Sequence, residues 1–168
     1  MPETSNQLTR KTLIRDVLSL LAAGYASVGV NDNLAKVVET VVTFPKQHVL
    51  PVVDNDGRLA GIIRLSTVCG EALAHLAPEL LIADIDTLEE VLQFTDLEIA
   101  RTARELMQPA VSIHEDARLV DAFRLLHSEK VTALPIADKD GHLIGVIDAV
   151  QLLSLWVNQG ASSATHDG

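Results

Sequence analysis

Apolar positions along this chain alternate between two periods. Leu34, Val37, Val38, Val41 and Val42 stand at i, i+3, i+4, i+7 and i+8, and Leu119, Ala122, Phe123 and Leu126 repeat the spacing at i, i+3, i+4 and i+7. Both sets line one face of a helix, which predicts helices over 34–42 and 119–126, with Asp32 and Asp116 as their N-caps. After each helix the pattern shortens. Val49–Val53 is a compact β-branched run, Asp54-Asn55-Asp56-Gly57 supplies turn residues, and Leu59–Ile63 returns apolar. This reads as a β-hairpin, and a second one surrounds Asp138-Lys139-Asp140-Gly141. Short runs at Ser27–Val30 and Val111–Ile113 predict a strand before each helix, and Ser66–Ala77 and Ala149–Val157 a further helix after each hairpin. Pro51 and Pro135 donate no ladder hydrogen bond, which places each at a sheet edge or near the start of its strand. The order β-α-β-β-α therefore occurs twice.

The two copies are related in sequence as well as in pattern. Pro51-Val-Val-Asp-Asn-Asp-Gly-Arg-Leu-Ala-Gly-Ile-Ile-Arg64 recurs 84 positions later as Pro135-Ile-Ala-Asp-Lys-Asp-Gly-His-Leu-Ile-Gly-Val-Ile-Asp148, with seven of fourteen positions identical. Arg15-Asp-Val-Leu18 and Arg104-Glu-Leu-Met107 form a matching lead-in to each copy. The repeat divides the chain into a first unit over 10–77, an acidic helical connector over 78–100, a second unit over 101–157 and a flexible tail over 158–168. Capping-box spacings at Asp86–Glu89 and Thr95–Glu98 support the helical connector.

Composition narrows the partners. Of the 168 residues 48% are hydrophobic, enough to close a core, and the formal net charge is -10. Nine acidic residues against two basic ones between Cys69 and Met107 contribute -7 of it. An acidic surface without a basic patch argues against nucleic-acid partners. The uncharged run Val17–Val30 falls short of the roughly 20 residues a spanning helix needs, so no direct membrane insertion is expected. Cys69 is the single cysteine, so no internal disulfide or thiolate cluster can form, which fits a reducing cytoplasm.

Two tandem β-α-β-β-α units carrying h-P-h-h-D-x-D-G-x-L-x-G-h-I resemble a pair of cystathionine β-synthase (CBS) domains, the arrangement called a Bateman module. The resemblance covers Arg10 to Val157. It implies an α+β fold in which two β-α-β-β-α units pack as a pseudo-two-fold pair joined by the helical connector. In such pairs adenosine-containing ligands such as AMP, ATP or S-adenosylmethionine bind in two clefts. Adenine would sit against Val28, Val30, Val49, Leu50 and Pro51 in one cleft, and against Val111, Ile113, Ala133, Leu134 and Pro135 in the other. The ribose and phosphate are held in the family by G-h-h-[ST]-x-x-[DN], which falls here on Ile63, Arg64, Ser66 and Thr67, and on Ile147, Asp148 and Gln151. The chain departs from that signature in both copies. Arg64 and Asp148 replace the Ser or Thr, and Thr67 and Gln151 replace the Asp.

Each of these residues also has an ordinary structural reading. Arg64 at a strand end in an acidic protein pairs with a nearby carboxylate, the alternative being a bidentate phosphate clamp. Asp148 caps the helix that starts at Ala149. Six histidines, at 48, 75, 114, 127, 142 and 166, lack metal-ligand spacing with a carboxylate, and His114-Glu115-Asp116 reads as a solvated cap, so no metal is expected. Cys69 reads as a buried structural thiol and Trp156 as a packing residue. No phosphate loop, nucleophile elbow or catalytic carboxylate pair is present. The expected function is a non-catalytic, homodimeric, cytoplasmic regulatory module that senses an adenosine-containing ligand and signals to a partner. The alternative is a ligand-free dimerisation or docking module for an enzyme or membrane transporter.

Overall fold

The computed structural model of the chain describes residues 9–21, 24–82 and 101–163. The elements in order are α1 (Ile14–Leu21), β1 (Val28–Gly29), α2 (Leu34–Thr43), β2 (Val49–Val53), β3 (Leu59–Arg64), α3 (Leu65–Ile82), α4 (Ala103–Leu106), β4 (Ile113–His114), α5 (Leu119–Ser128), β5 (Ala133–Ala137), β6 (Leu143–Asp148) and α6 (Ala149–Ser163). They form an α+β fold with two three-stranded sheets, ordered β1-β2-β3 and β4-β5-β6. In each sheet the short first strand pairs parallel to the second, and the hairpin is antiparallel.

The registers of the two hairpins match residue for residue. Leu50 pairs with Ile63 and Val52 with Gly61, as Leu134 pairs with Ile147 and Ile136 with Gly145, and both ladders shift one residue later, after Val52 and after Ile136. Gly57 and Gly141 take φ of 80° and 86°, the left-handed backbone that closes each turn and that a side chain resists. Pro51 and Pro135 stand in the central strand, not at an edge. They are tolerated because β1 pairs only with Val52 and Val53, and β4 only with Ile136 and Ala137, so neither proline faces a ladder partner on that side.

The described residues gather into two compact units. One lies within Tyr25–Ala110; the other joins the described part of Met1–Gly24 to that of Val111–Gly168. In the first, Val28, Val30, Leu34, Val37, Leu50, Val52, Ile63 and Val68 form the core, and α4 closes it with Ala103 and Leu106. In the second, Leu119, Ala122, Leu126, Leu134, Ile136, Ile147 and Leu152 form the core, and α1 closes it with Ile14 and Val17. Each lead-in thus packs against the hairpin of the other copy. Backbone bonds fix both: Ala103 N–H donates to Asp32 O (2.7 Å) and Arg104 N–H to Val30 O (3.0 Å), while Ile14 N–H donates to Ala117 O and Arg15 N–H to Glu115 O (both 2.9 Å). Arg15 also pairs with Asp116 at 2.6 Å.

Several local expectations are corrected. The N-cap of α2 is Asn33, whose Oδ1 accepts from Lys36 N–H at 2.9 Å, while Asp32 turns back to accept from Gly29 N–H at 2.8 Å. The N-cap of α5 is Arg118, two residues after Asp116, whose carboxylate pairs with Arg15 instead. The first strands are shorter than expected, and that of the second copy begins at Ile113 rather than Val111. α3 runs beyond Ala77 to Ile82, and α6 beyond Val157 to Ser163; no proline interrupts α6, and one glycine costs a helix only about 1 kcal/mol. Cys69 is exposed, not buried. The connector expectations on 83–100, both capping boxes included, and the tail beyond Ser163 lie outside the described residues.

Candidate functional site

The family signature falls where each hairpin's last strand runs directly into a helix. In the first copy β3 ends at Arg64 and α3 starts at Leu65, whose N–H donates to His48 O at 3.0 Å. In the second, β6 ends at Asp148 and Ala149 N–H donates to Thr132 O at 2.9 Å. The backbone frame is the same, and the side chains placed on it are opposite in charge.

At the second junction Asp148 Oδ1 accepts from Gln151 N–H at 2.7 Å, and Gln151 Oε1 accepts from Asp148 N–H at 3.0 Å. This reciprocal pair is a capping box, and it occupies the Gln151 N–H of the first turn and the Asp148 N–H with the chain's own atoms. At the first junction Arg64 is exposed, and Ser66 exposed and Thr67 half-buried follow it. Among the described residues no side-chain acceptor caps the first turn of α3, and no described carboxylate pairs with Arg64. An uncapped helix start presents backbone N–H groups and a positive dipole end, and beside it stands a guanidinium, so the junction can receive an anion.

The apolar candidates separate into two groups. Val28, Val30, Leu50 and Ile63 belong to one core, and Ile113, Leu134 and Ile147 to the other, with Val111 packed against it. Their side chains are committed to holding helices on the sheet. Val49, Pro51, Ala133 and Pro135 are buried as well but stand outside both clusters. They are neighbours in sequence of core residues yet point to the opposite face of their strands, as strand alternation requires.

Three features escaped the sequence. Gly61 lies against the lead-in of the other copy: a Cβ built on it would stand 2.8 Å from Gln108 O and 2.9 Å from Met107 Sδ. Gln108 seals the edge of β3 there, exchanging backbone hydrogen bonds with Ile62 at 2.9 and 3.0 Å. Both partners lie more than forty residues away, so no local pattern reports them. Second, Asp138, Asp140 and His142 place ligating atoms within 4.8 Å of one another, although their spacing follows no familiar metal motif. Third, Trp156 meets Phe123 edge to face at 6.2 Å but is still 70% exposed.

The CBS domain family model matches residues 8–73 and 103–158, both copies of the repeat. The chain belongs to the CBS domain family. A CBS domain-containing protein of Dictyostelium discoideum is 36% identical over 110 residues, 66% of this chain and 70% of that protein. The chloroplastic CBSX2 of Arabidopsis thaliana is 30% identical over 134 residues, of which this chain spans about half the length, 52%. Among solved structures, the CBS domain of a CBS domain-containing membrane protein from Sphaerobacter thermophilus superposes with TM-score 0.64 at 25% identity, covering 87% of this chain and 88% of that one. CBSX2 solved in complex with AMP superposes with TM-score 0.63 at 20% identity, covering 88% and 97%. The fold is that of a CBS pair. No described helix of this CBS protein is long and apolar enough to cross a membrane.

Proposed function

We propose that this CBS pair is a non-catalytic regulatory module that senses an adenosine-containing nucleotide and passes its occupancy to a partner protein. The observation that carries the reading is the contrast between the two strand-to-helix junctions. At Arg64 no described side chain caps the helix start, which a cation flanks; at Asp148 the chain caps itself and adds an anion. One phosphate-bearing ligand per chain follows, seated on the Arg64 side, with Ser66 and Thr67 within the same first turn. AMP in the structure of CBSX2 supports the ligand class. The membrane protein that contributes the Sphaerobacter CBS domain supports a membrane-protein partner, with a soluble enzyme as the other class.

The module works as a homodimer in the cytoplasm in this proposal. The stripe Val150, Leu153, Trp156 and Val157 along α6 is exposed and apolar, a surface that a second copy would cover. A second reading, a docking module without a ligand, is favoured by Thr67 and Gln151, since neither copy keeps the carboxylate that would accept both ribose hydroxyls.

A thermal-shift panel of AMP, ADP, ATP, NAD and S-adenosylmethionine separates the two. A ligand that binds only the folded chain at a hundred times its Kd raises stability by about 2.7 kcal/mol. The sensing reading expects a clear upward shift with at least one phosphorylated adenosine. No shift with any of the five supports the docking module instead.

A further inference from the structure

We propose that the turn of the second hairpin, through Asp138, Asp140 and His142, binds a divalent transition metal of the zinc type. The site is separate from the strand-to-helix junctions and stands or falls without the nucleotide reading.

The turn arranges its donors before any metal arrives. Asp138 Oδ1 accepts from Asp140 N–H and His142 N–H, both at 2.9 Å, which fixes the carboxylate plane and turns Oδ2 toward His142 Nδ1 at 3.3 Å. Two ligands bound to zinc at about 2.0–2.1 Å and the tetrahedral angle stand roughly 3.3–3.4 Å apart, so these atoms already span one edge of a zinc tetrahedron. Asp140 brings a second carboxylate within 4.8 Å of both. One imidazole with two carboxylates suits Zn²⁺, Co²⁺ or Ni²⁺, whereas Mg²⁺ favours an all-oxygen octahedron. The half-exposed position leaves room for water to complete the shell.

The chain contains its own comparison. In the first turn Asp54 Oδ1 accepts from Asp56 N–H and Arg58 N–H, again both at 2.9 Å, so the backbone and two carboxylates are reproduced. Arg58 stands where the second turn has His142, and a fixed cation replaces a ligand. The first turn should therefore reject the metal that the second accepts.

The test is a Zn²⁺ titration of the full, untagged, metal-stripped chain against a chromogenic chelator. The expected result is one Zn²⁺ per chain, with affinity lowered at least tenfold by His142→Arg and unchanged by Asp56→Asn. His142→Arg copies the residue that the first turn already carries, so the hairpin should keep its fold, which circular dichroism checks. If the variant does not fold, NMR of the unmodified chain decides, since Zn²⁺ must then shift the His142 imidazole signals ahead of those of the other histidines. Undiminished uptake in His142→Arg, Mg²⁺ binding as tightly as Zn²⁺, no saturable uptake, or unmoved His142 signals would each overturn the proposal.

Discussion

Gly61 and Gly145 occupy one position of the repeat, yet they face different neighbours. A methyl group on Gly61 would overlap Gln108 O, which is backbone and cannot move aside, while on Gly145 it would meet Leu18 and Ile136 side chains at 3.4 Å. Gly61→Ala should therefore lower stability by about 1–3 kcal/mol, the usual cost of overpacking, and Gly145→Ala by clearly less. Thermal melts of the two variants side by side check this, and equal melting temperatures would contradict it. The glycines themselves were legible in the repeat; the reason for Gly61 was not, because Met107 and Gln108 reach it across the fold. Capping was legible only to within a residue or two, since Asp32 and Asn33 are both competent acceptors and only Gly29 N–H decides between them. Asp138 carries a pH dependence of its own. Its backbone hydrogen bonds, from His142 foremost, favour the ionised form in the folded chain, so this contribution to stability is present above the ordinary carboxyl pKa and is lost as pH falls through the lowered folded value. NMR titration should find the Asp138 carboxyl midpoint below 3.8, and a midpoint at or above that value would contradict the geometry.

At the scale of elements, the two strand-to-helix junctions show how one backbone can be finished in two ways. Asp148 and Gln151 cap α6 reciprocally, so Asp148→Ala should cost about 0.5–2 kcal/mol. Among the described residues no side chain caps α3 beside Arg64, so Arg64→Asp should supply an acceptor and stabilise the chain by a similar amount; urea midpoints measure both. A destabilised Arg64→Asp would mean that Arg64 holds α3 by a contact of its own. The helices α2 and α5 were readable because their apolar residues keep the 3.6 period and end in polar residues. The ends of α3 and α6 were not: Pro78, which ordinarily stops or kinks a helix, stands inside α3, and the residues after Val157 hold no breaker strong enough to stop α6. The capping role of Asp148 was readable, since an aspartate directly before an apolar helical run has a local partner three residues on. That no described carboxylate pairs with Arg64 was not, because an ion pair depends on which carboxylates the fold brings near.

For the whole molecule, the 84-residue offset made the CBS pair legible from sequence alone, as hairpin, turn and strand recur in register. Which lead-in closes which core was hidden, because the two hairpins are alike enough that either could receive either segment. The apolar stripe on α6 predicts a dimer of twice 18.1 kDa by light scattering at micromolar concentration, and a monomer mass would contradict it. Calorimetry of AMP binding to the unmodified chain and to Arg64→Ala decides whether the chain is a nucleotide sensor with one phosphate-accepting junction. A sensor of this kind binds one AMP per chain and loses affinity by roughly tenfold or more when the guanidinium is removed, the scale of a charge-assisted hydrogen bond. Two equivalent sites per chain, or an Arg64→Ala chain that binds AMP as tightly as before, would contradict it.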